Sequence, residues 1–230
     1  MARAAAFAER LRVTRGPEPF VAWPGWKHLA YAAFLTAAVD ILFAVVYFGA
    51  DYVTGLRAHH LHLFLRQELG IPLWPSMILI YDSLYLLFLL APFVLRTRED
   101  LNRLALSSAG TIAVAGVLFL VFPAELGFAP QAVSGPFQRI FEISDKLNLD
   151  YNLVPSLHVG LAMVCLQAFW SRRSVVARAA LAVWGGALVL STLLTHQHHI
   201  IDAVTGGGLA MVMFQATRKE MHAQRIGIPV

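Results

Sequence analysis

Between Ser191 and Gly206 the chain reads Ser-Thr-Leu-Leu-Thr-His-Gln-His-His-Ile-Ile-Asp-Ala-Val-Thr-Gly, with three histidines and an aspartate where one apolar stretch ends and another begins. His198 and Asp202 are four apart, so on a helix they share a face and the carboxylate reaches the imidazole. A carboxylate holding one ring nitrogen fixes the tautomer and makes the other nitrogen the better nucleophile or base. A second polar knot, Asn152-Leu-Val-Pro-Ser-Leu-His158, opens another apolar stretch. Pro155 suits the first turn of a helix and Asn152 or Ser156 its cap, which places His158 beside free N–H groups and a positive dipole end. Such an end is a ready anion site. Two imidazoles across an anion cradle suit phosphoryl transfer, one attacking phosphorus and the other protonating the departing oxygen.

The elements that must position these groups follow from composition. The chain has 230 residues, 58% of them hydrophobic and 14% charged, with a mean hydropathy of +0.62. Soluble domains carry roughly 25% charged residues. The shortfall, with several apolar runs near the roughly 20 residues that cross a bilayer, predicts an all-α polytopic membrane protein. The expected architecture is a six-transmembrane-helix bundle with spans near 29–50, 74–95, 104–122, 155–170, 179–195 and 199–216. An interfacial amphipathic helix over 51–70 follows the first span. The domain reading is a basic cytoplasmic tail over 1–27, the membrane domain over 28–217 and a cytoplasmic tail over 218–230. The start, Met1 to Arg15, has no apolar stretch long enough for a signal peptide; a short helix on the membrane surface is an alternative there. A net charge of +4 invites a nucleic-acid partner, but the basic residues are scattered through short loops, which excludes that reading. The single cysteine, Cys165, reads as a small core hydrophobe.

Charge sets the orientation. The amino end, the second-to-third turn, the fourth-to-fifth turn and the carboxyl end hold 5, 3, 3 and 3 Lys or Arg, against Arg57, Arg66, Arg139 and Lys146 elsewhere. Positive loops stay in the cytoplasm, so both termini are expected inside. His158 and the His198 cluster then meet at the non-cytoplasmic face, in the plasma (inner) membrane.

These two knots resemble the motifs of the type 2 phosphatidic acid phosphatase superfamily. The family's Pro-Ser-Gly-His is similar to Pro155-Ser156-Leu157-His158. Its Ser-Arg, five residues, His, three residues, Asp falls on Ser191-Thr192, His198 and Asp202. The Ser-Leu-His form and the Ser-Thr-Leu-Leu opening look closer to the inositol phosphorylceramide synthase-like branch. The resemblance implies a lipid phosphate or phospholipid substrate, no metal and no cofactor. His198 would be the nucleophile forming a phosphohistidine, Asp202 its orienting partner, His158 the general acid, and Ser156 a phosphate contact. The family's Lys, six residues, Arg-Pro would end at Pro123, yet Ala115 and Phe122 hold its basic positions and Thr192 replaces the third motif's Arg. Losing one such donor typically costs about 3–4 kcal/mol of transition-state stabilisation. Substrate contacts are therefore placed at Ser156, Leu157, Asn152, Thr192, His196 and Arg139, the last two as replacement cations.

Blander readings stand beside these. The His198–Asp202 pair alone could pin two helices together, and His196, His198 and His199 could hold a metal or haem in a non-catalytic transporter or metal-handling protein. His59, His60 and His62 read as interfacial side chains. Asp40 and Asp82 read as a proton path or substrate contact, or as cross-helix pairs. Gly206 to Gly208 read as close helix packing. Nothing in the pattern fixes an oligomeric state.

Overall fold

The structure, a computed structural model, describes residues 20–130, 132–170 and 174–225. The basic start and any surface helix within it lie outside the described residues, as do Arg172 and Arg173. Among the described residues the chain is all-helical, with seven α-helices: α1 Trp26–Gly55, α2 Ile78–Val94, α3 Arg98–Val121, α4 Gln138–Leu147, α5 Leu157–Trp170, α6 Val175–Leu194 and α7 Ile200–Arg225. Five are long and apolar enough to cross a membrane: α1, α2 with the turn before it, α3, α6 and α7. The sixth apolar helix, α5, has only 14 residues, about 21 Å of rise against a hydrocarbon core of about 30 Å. Large side chains such as Phe34, Ile41, Val45 and Val183 face outward, as they do where lipid is the solvent.

Local chemistry sets the helix ends. Thr97 caps α3, accepting the Asp100 N–H at 3.0 Å, with Glu99 and Asp100 complementing the dipole of the first turn. Ser174 caps α6 by accepting from Ala177 N–H at 3.2 Å. At its far end α6 closes in a Schellman motif: His196 N–H donates to Leu193 O and Gln197 N–H to Thr192 O, at 3.1 and 3.0 Å. His196 takes the left-handed position that this closure requires, with φ 57°.

The centre of the bundle is α5, packed against α7, α3, α6 and α2. The residue that starts it lies close against α7, where a Cβ added at Gly206 would strike the Ser156 carbonyl oxygen. Of the Gly206 to Gly208 run, only Gly206 is forced to be glycine by a neighbour this near.

The segment 51–70 is not the interfacial helix that the pattern suggests. Helix α1 continues through it to Gly55, and only a short 3₁₀ turn, Arg66–Gly70, follows. The reason lies in backbone partners. Leu61 N–H donates to Pro123 O at 2.7 Å and Leu61 O accepts from Glu125 N–H at 3.1 Å, so the chain after α3 takes the groups a helix would use. His60 stacks on Tyr151 and bonds the Thr54 carbonyl, while His62 pairs with Glu125. The polar segment 124–154 contains α4, whose Phe141 packs on Ile78 and Tyr81 and whose Ser144 hydroxyl donates to Asp82 at 2.9 Å. Asp82 is thereby a cross-helix pair.

Candidate functional site

The beginnings of α5 and α7 meet at one end of the bundle, and main-chain bonds hold them together. Ser156 N–H donates to the Asp202 carbonyl at 2.9 Å, and Thr192 O accepts both Gln197 and His198 N–H, at 3.0 and 3.1 Å. Ser156 is the cap of α5, its Oγ accepting from Val159 N–H at 3.2 Å. Asn152 is not the cap: its amide donates to the Tyr47 carbonyl at 2.6 Å, and its buried Oδ1 has no hydrogen-bond partner. The first-turn N–H groups of Leu157 and His158 have no intrahelical acceptor.

His198 faces Asp202, Nδ1–H to Oδ2 at 3.4 Å, while the same oxygen accepts the His199 N–H at 2.8 Å. The carboxylate can only accept, so Nδ1 carries the proton and Nε2 of His198 is left as the free nitrogen. His158 lies against the Tyr81 ring, 3.7 Å between centroids, and its Nε2–H donates to the Tyr81 carbonyl at 2.7 Å. That bond uses Nε2 and leaves Nδ1 as the ring's other nitrogen. Both imidazoles line one cavity of about 840 Å³, together with Asn148, Asn152 and Leu157.

Of the other expected substrate contacts, Thr192 is fully buried and its hydroxyl donates to Val189 O at 2.8 Å. His196 donates from Nε2 to Ile71 O at 2.9 Å and stacks on Phe128. Arg139 is exposed on α4. None of these three, nor Ser156, lines the cavity. No lysine or arginine is among the described residues that do. The histidines at 196, 198 and 199 face Ile71, Asp202 and Glu68 respectively, so they do not converge on a common ligand. Among the described residues no group of three or more His, Cys, Asp or Glu stands together as a metal site.

Glu68 is the residue that sequence reasoning misses. It is 3% exposed, and its carboxylate accepts from His199 Nδ1–H at 3.1 Å, Ile200 N–H at 2.9 Å and Leu65 N–H at 3.1 Å. Gly127 N–H donates to His199 Nε2 at 3.0 Å, so that ring must be neutral with its proton on Nδ1. Phe64 and Phe128 stack on its two faces. A Cβ at Gly127 would collide with Phe64. Glu68 thus clamps the start of α7, one residue from His198. The only signal in the sequence is indirect: an imidazole in an apolar turn needs an acceptor.

Burial alone would raise the Glu68 carboxyl, but the N–H groups of Ile200 and Leu65 and the His199 ring outweigh it and hold it below the usual carboxylate range. Burial pushes His199 down, against the pull of Asp202 and Glu68. A depressed carboxyl contributes stability above its unfolded-state pKa and loses it as pH falls through the folded-state value. Thermal unfolding in detergent should therefore show a loss of stability on acidification that Glu68→Gln lacks. The variant should be less stable at neutral pH by about 1–3 kcal/mol, because an amide cannot accept all three donors. Superimposable wild-type and variant curves would refute the clamp.

No curated protein gives a significant match to this chain. The profile of the PAP2 superfamily matches residues 49–216. That range runs from the end of α1 to the body of α7 and contains both histidine knots, which the fold has brought to one cavity. The chain belongs to the PAP2 superfamily.

Proposed function

We propose that the chain is an integral membrane phosphatase or phosphotransferase acting on a lipid phosphate at the non-cytoplasmic face, through a phosphohistidine on His198. The observation that carries it is the meeting of two imidazoles and a helix amino terminus at the polar end of a largely apolar cavity. With Nδ1–H turned to Asp202, Nε2 of His198 attacks phosphorus. The phosphorus–oxygen bond to the lipid breaks, and Nδ1 of a protonated His158 gives its proton to the leaving oxygen. His158 then takes a proton from the water or lipid hydroxyl that attacks the phosphohistidine, which restores both rings. Water as acceptor gives a phosphatase and a lipid alcohol gives a transferase; one intermediate serves both.

With no Lys or Arg among the described residues that line the cavity, charge on the phosphoryl oxygens is met by the Leu157 and His158 N–H groups, the α5 dipole and the His158 imidazolium. Ser156 and Asn152 act by fixing the start of α5 and the segment before it. Counting α5 as a sixth crossing leaves the Lys- and Arg-rich loops on one side, with both termini cytoplasmic.

The test is a panel of lipid phosphates incubated with purified protein in EDTA, with and without lipid alcohols, and products identified by mass. Phosphate release or transfer that vanadate inhibits is expected. Stoichiometric bound metal without phosphate release would instead restore the transporter or metal-handling reading.

A further inference from the structure

The cavity carries a polar girdle that phosphoryl transfer does not use. Helix α1 packs along α3 and meets α2 at few points, leaving a cleft between α1 and α2. It runs from the histidines inward to Leu29 and Phe93. Near that far end α1 is tied to the residue after α2 by His28 Nε2–H donating to Leu95 O at 2.9 Å. Away from the histidine end the lining is apolar except for Thr36, Asp40, Tyr85 and Ser108.

Asp40 stands at the middle of the 30-residue α1. Its side chain is exposed in the cleft and makes no hydrogen bond or ion pair with any described residue. Ser108 is at a similar depth. Helices α1 and α3 run side by side, with the Tyr31 hydroxyl on Asn102 towards one end and Val46 against Gly116 towards the other. That alignment sets Ser108 within about one turn of Asp40. Ser108 is fully buried, lines the same cavity, and its Oγ has no partner. A carboxyl group at mid-bilayer depth and an unsatisfied buried hydroxyl are both costly. A ligand hydroxyl that donates to Asp40 would relieve the cost of the carboxyl at that depth. From Tyr47, whose carbonyl holds Asn152 at the histidine end, to Asp40 is about 10 Å along the helix.

We propose that the α1–α2 cleft seats the hydrocarbon chain of the substrate, and that Asp40 selects a chain bearing a hydroxyl about 10 Å along α1 from Tyr47 at the histidine end. This rests on the lipid-phosphate reading for the head group and adds the chemistry of the chain. The experiment compares two phosphatidic acids of equal chain length, one with plain acyl chains and one with 3-hydroxyacyl chains. Wild type, Asp40→Leu and Asp40→Asn are assayed in nanodiscs for kcat/KM, and by native mass spectrometry for lipid retained. Both ratios are taken within each variant, so a partly folded preparation leaves them unchanged.

Wild type should favour the hydroxylated lipid by about tenfold in both readouts, the size of one hydrogen bond to a charged group. Asp40→Leu should show no preference, and Asp40→Asn an intermediate one, because its amide oxygen still accepts. Equal handling of the two lipids by wild type, or an unchanged ratio in Asp40→Leu, overturns the proposal. So does a dimer that dissociates in Asp40→Leu, which would make Asp40 a contact between copies. Selective retention without turnover would leave the chain site standing and sink the catalytic reading alone.

Discussion

His198→Ala should reduce turnover of a lipid phosphate by about 10⁴-fold or more, the scale seen when a covalent nucleophile is removed. It should also abolish an acid-labile phosphoprotein formed from phosphorus-labelled substrate. The variant is a clean one. The turn around His198 is held by its N–H on Thr192 O and by the His199 N–H on Asp202, neither of which needs the ring. Among the described residues the ring's one hydrogen-bond partner is Asp202, at 3.4 Å. Melting behaviour should therefore stay close to wild type while chemistry disappears. Asp202→Asn would be a poorer probe, since its carboxylate serves both the imidazole and the backbone of residue 199. Retention of labelled phosphoprotein in His198→Ala would move the nucleophile elsewhere and remove the basis of the mechanism.

The second large effect separates proton donation from packing at His158. His158→Ala should slow cleavage of an alkyl phosphate by about 10²–10⁴-fold, the usual worth of general acid catalysis. Cleavage of p-nitrophenyl phosphate should change far less, because that leaving group departs without a proton. The contrast matters because the ring also stacks on Tyr81 and is only 8% exposed. Truncation alone could loosen the wall of the cavity. A loosened wall lowers both rates together; a missing acid lowers one. Equal losses on the two substrates would make His158 a packing residue.

The parts of the site readable in the sequence are those whose partners are local. His198 and Asp202 share a turn, and Ser156 caps the helix that His158 enters. The absence of basic side chains at Ala115, Phe122 and Thr192 was equally plain, and the cavity has none among its described lining residues. What stayed hidden depends on distant chain. Glu68 and His199 are 131 residues apart, and no periodicity links a glutamate in a leucine- and histidine-rich stretch to a turn near the other end. The same stretch reads as amphipathic because leucines recur at helical spacing, yet long-range backbone bonds to 123–125 outweigh that preference. His196 looked like a spare cation in a run of histidines. Its left-handed backbone, at a position usually taken by glycine or asparagine, shows that it ends α6 instead. The five long helices followed from apolar run length alone, whereas the shortness of α5 reflects where Ser156 and its Asp202 anchor start it.

The gap between the two imidazoles is braced by main-chain atoms: the Ser156 N–H on the Asp202 carbonyl, and the Thr192 carbonyl on two successive N–H groups. Such braces are indifferent to side-chain identity, Gly206 excepted. The lining can therefore drift under selection while the two imidazoles keep their places; on the proposed reading, such a scaffold would exchange one head group for another without rebuilding its chemistry.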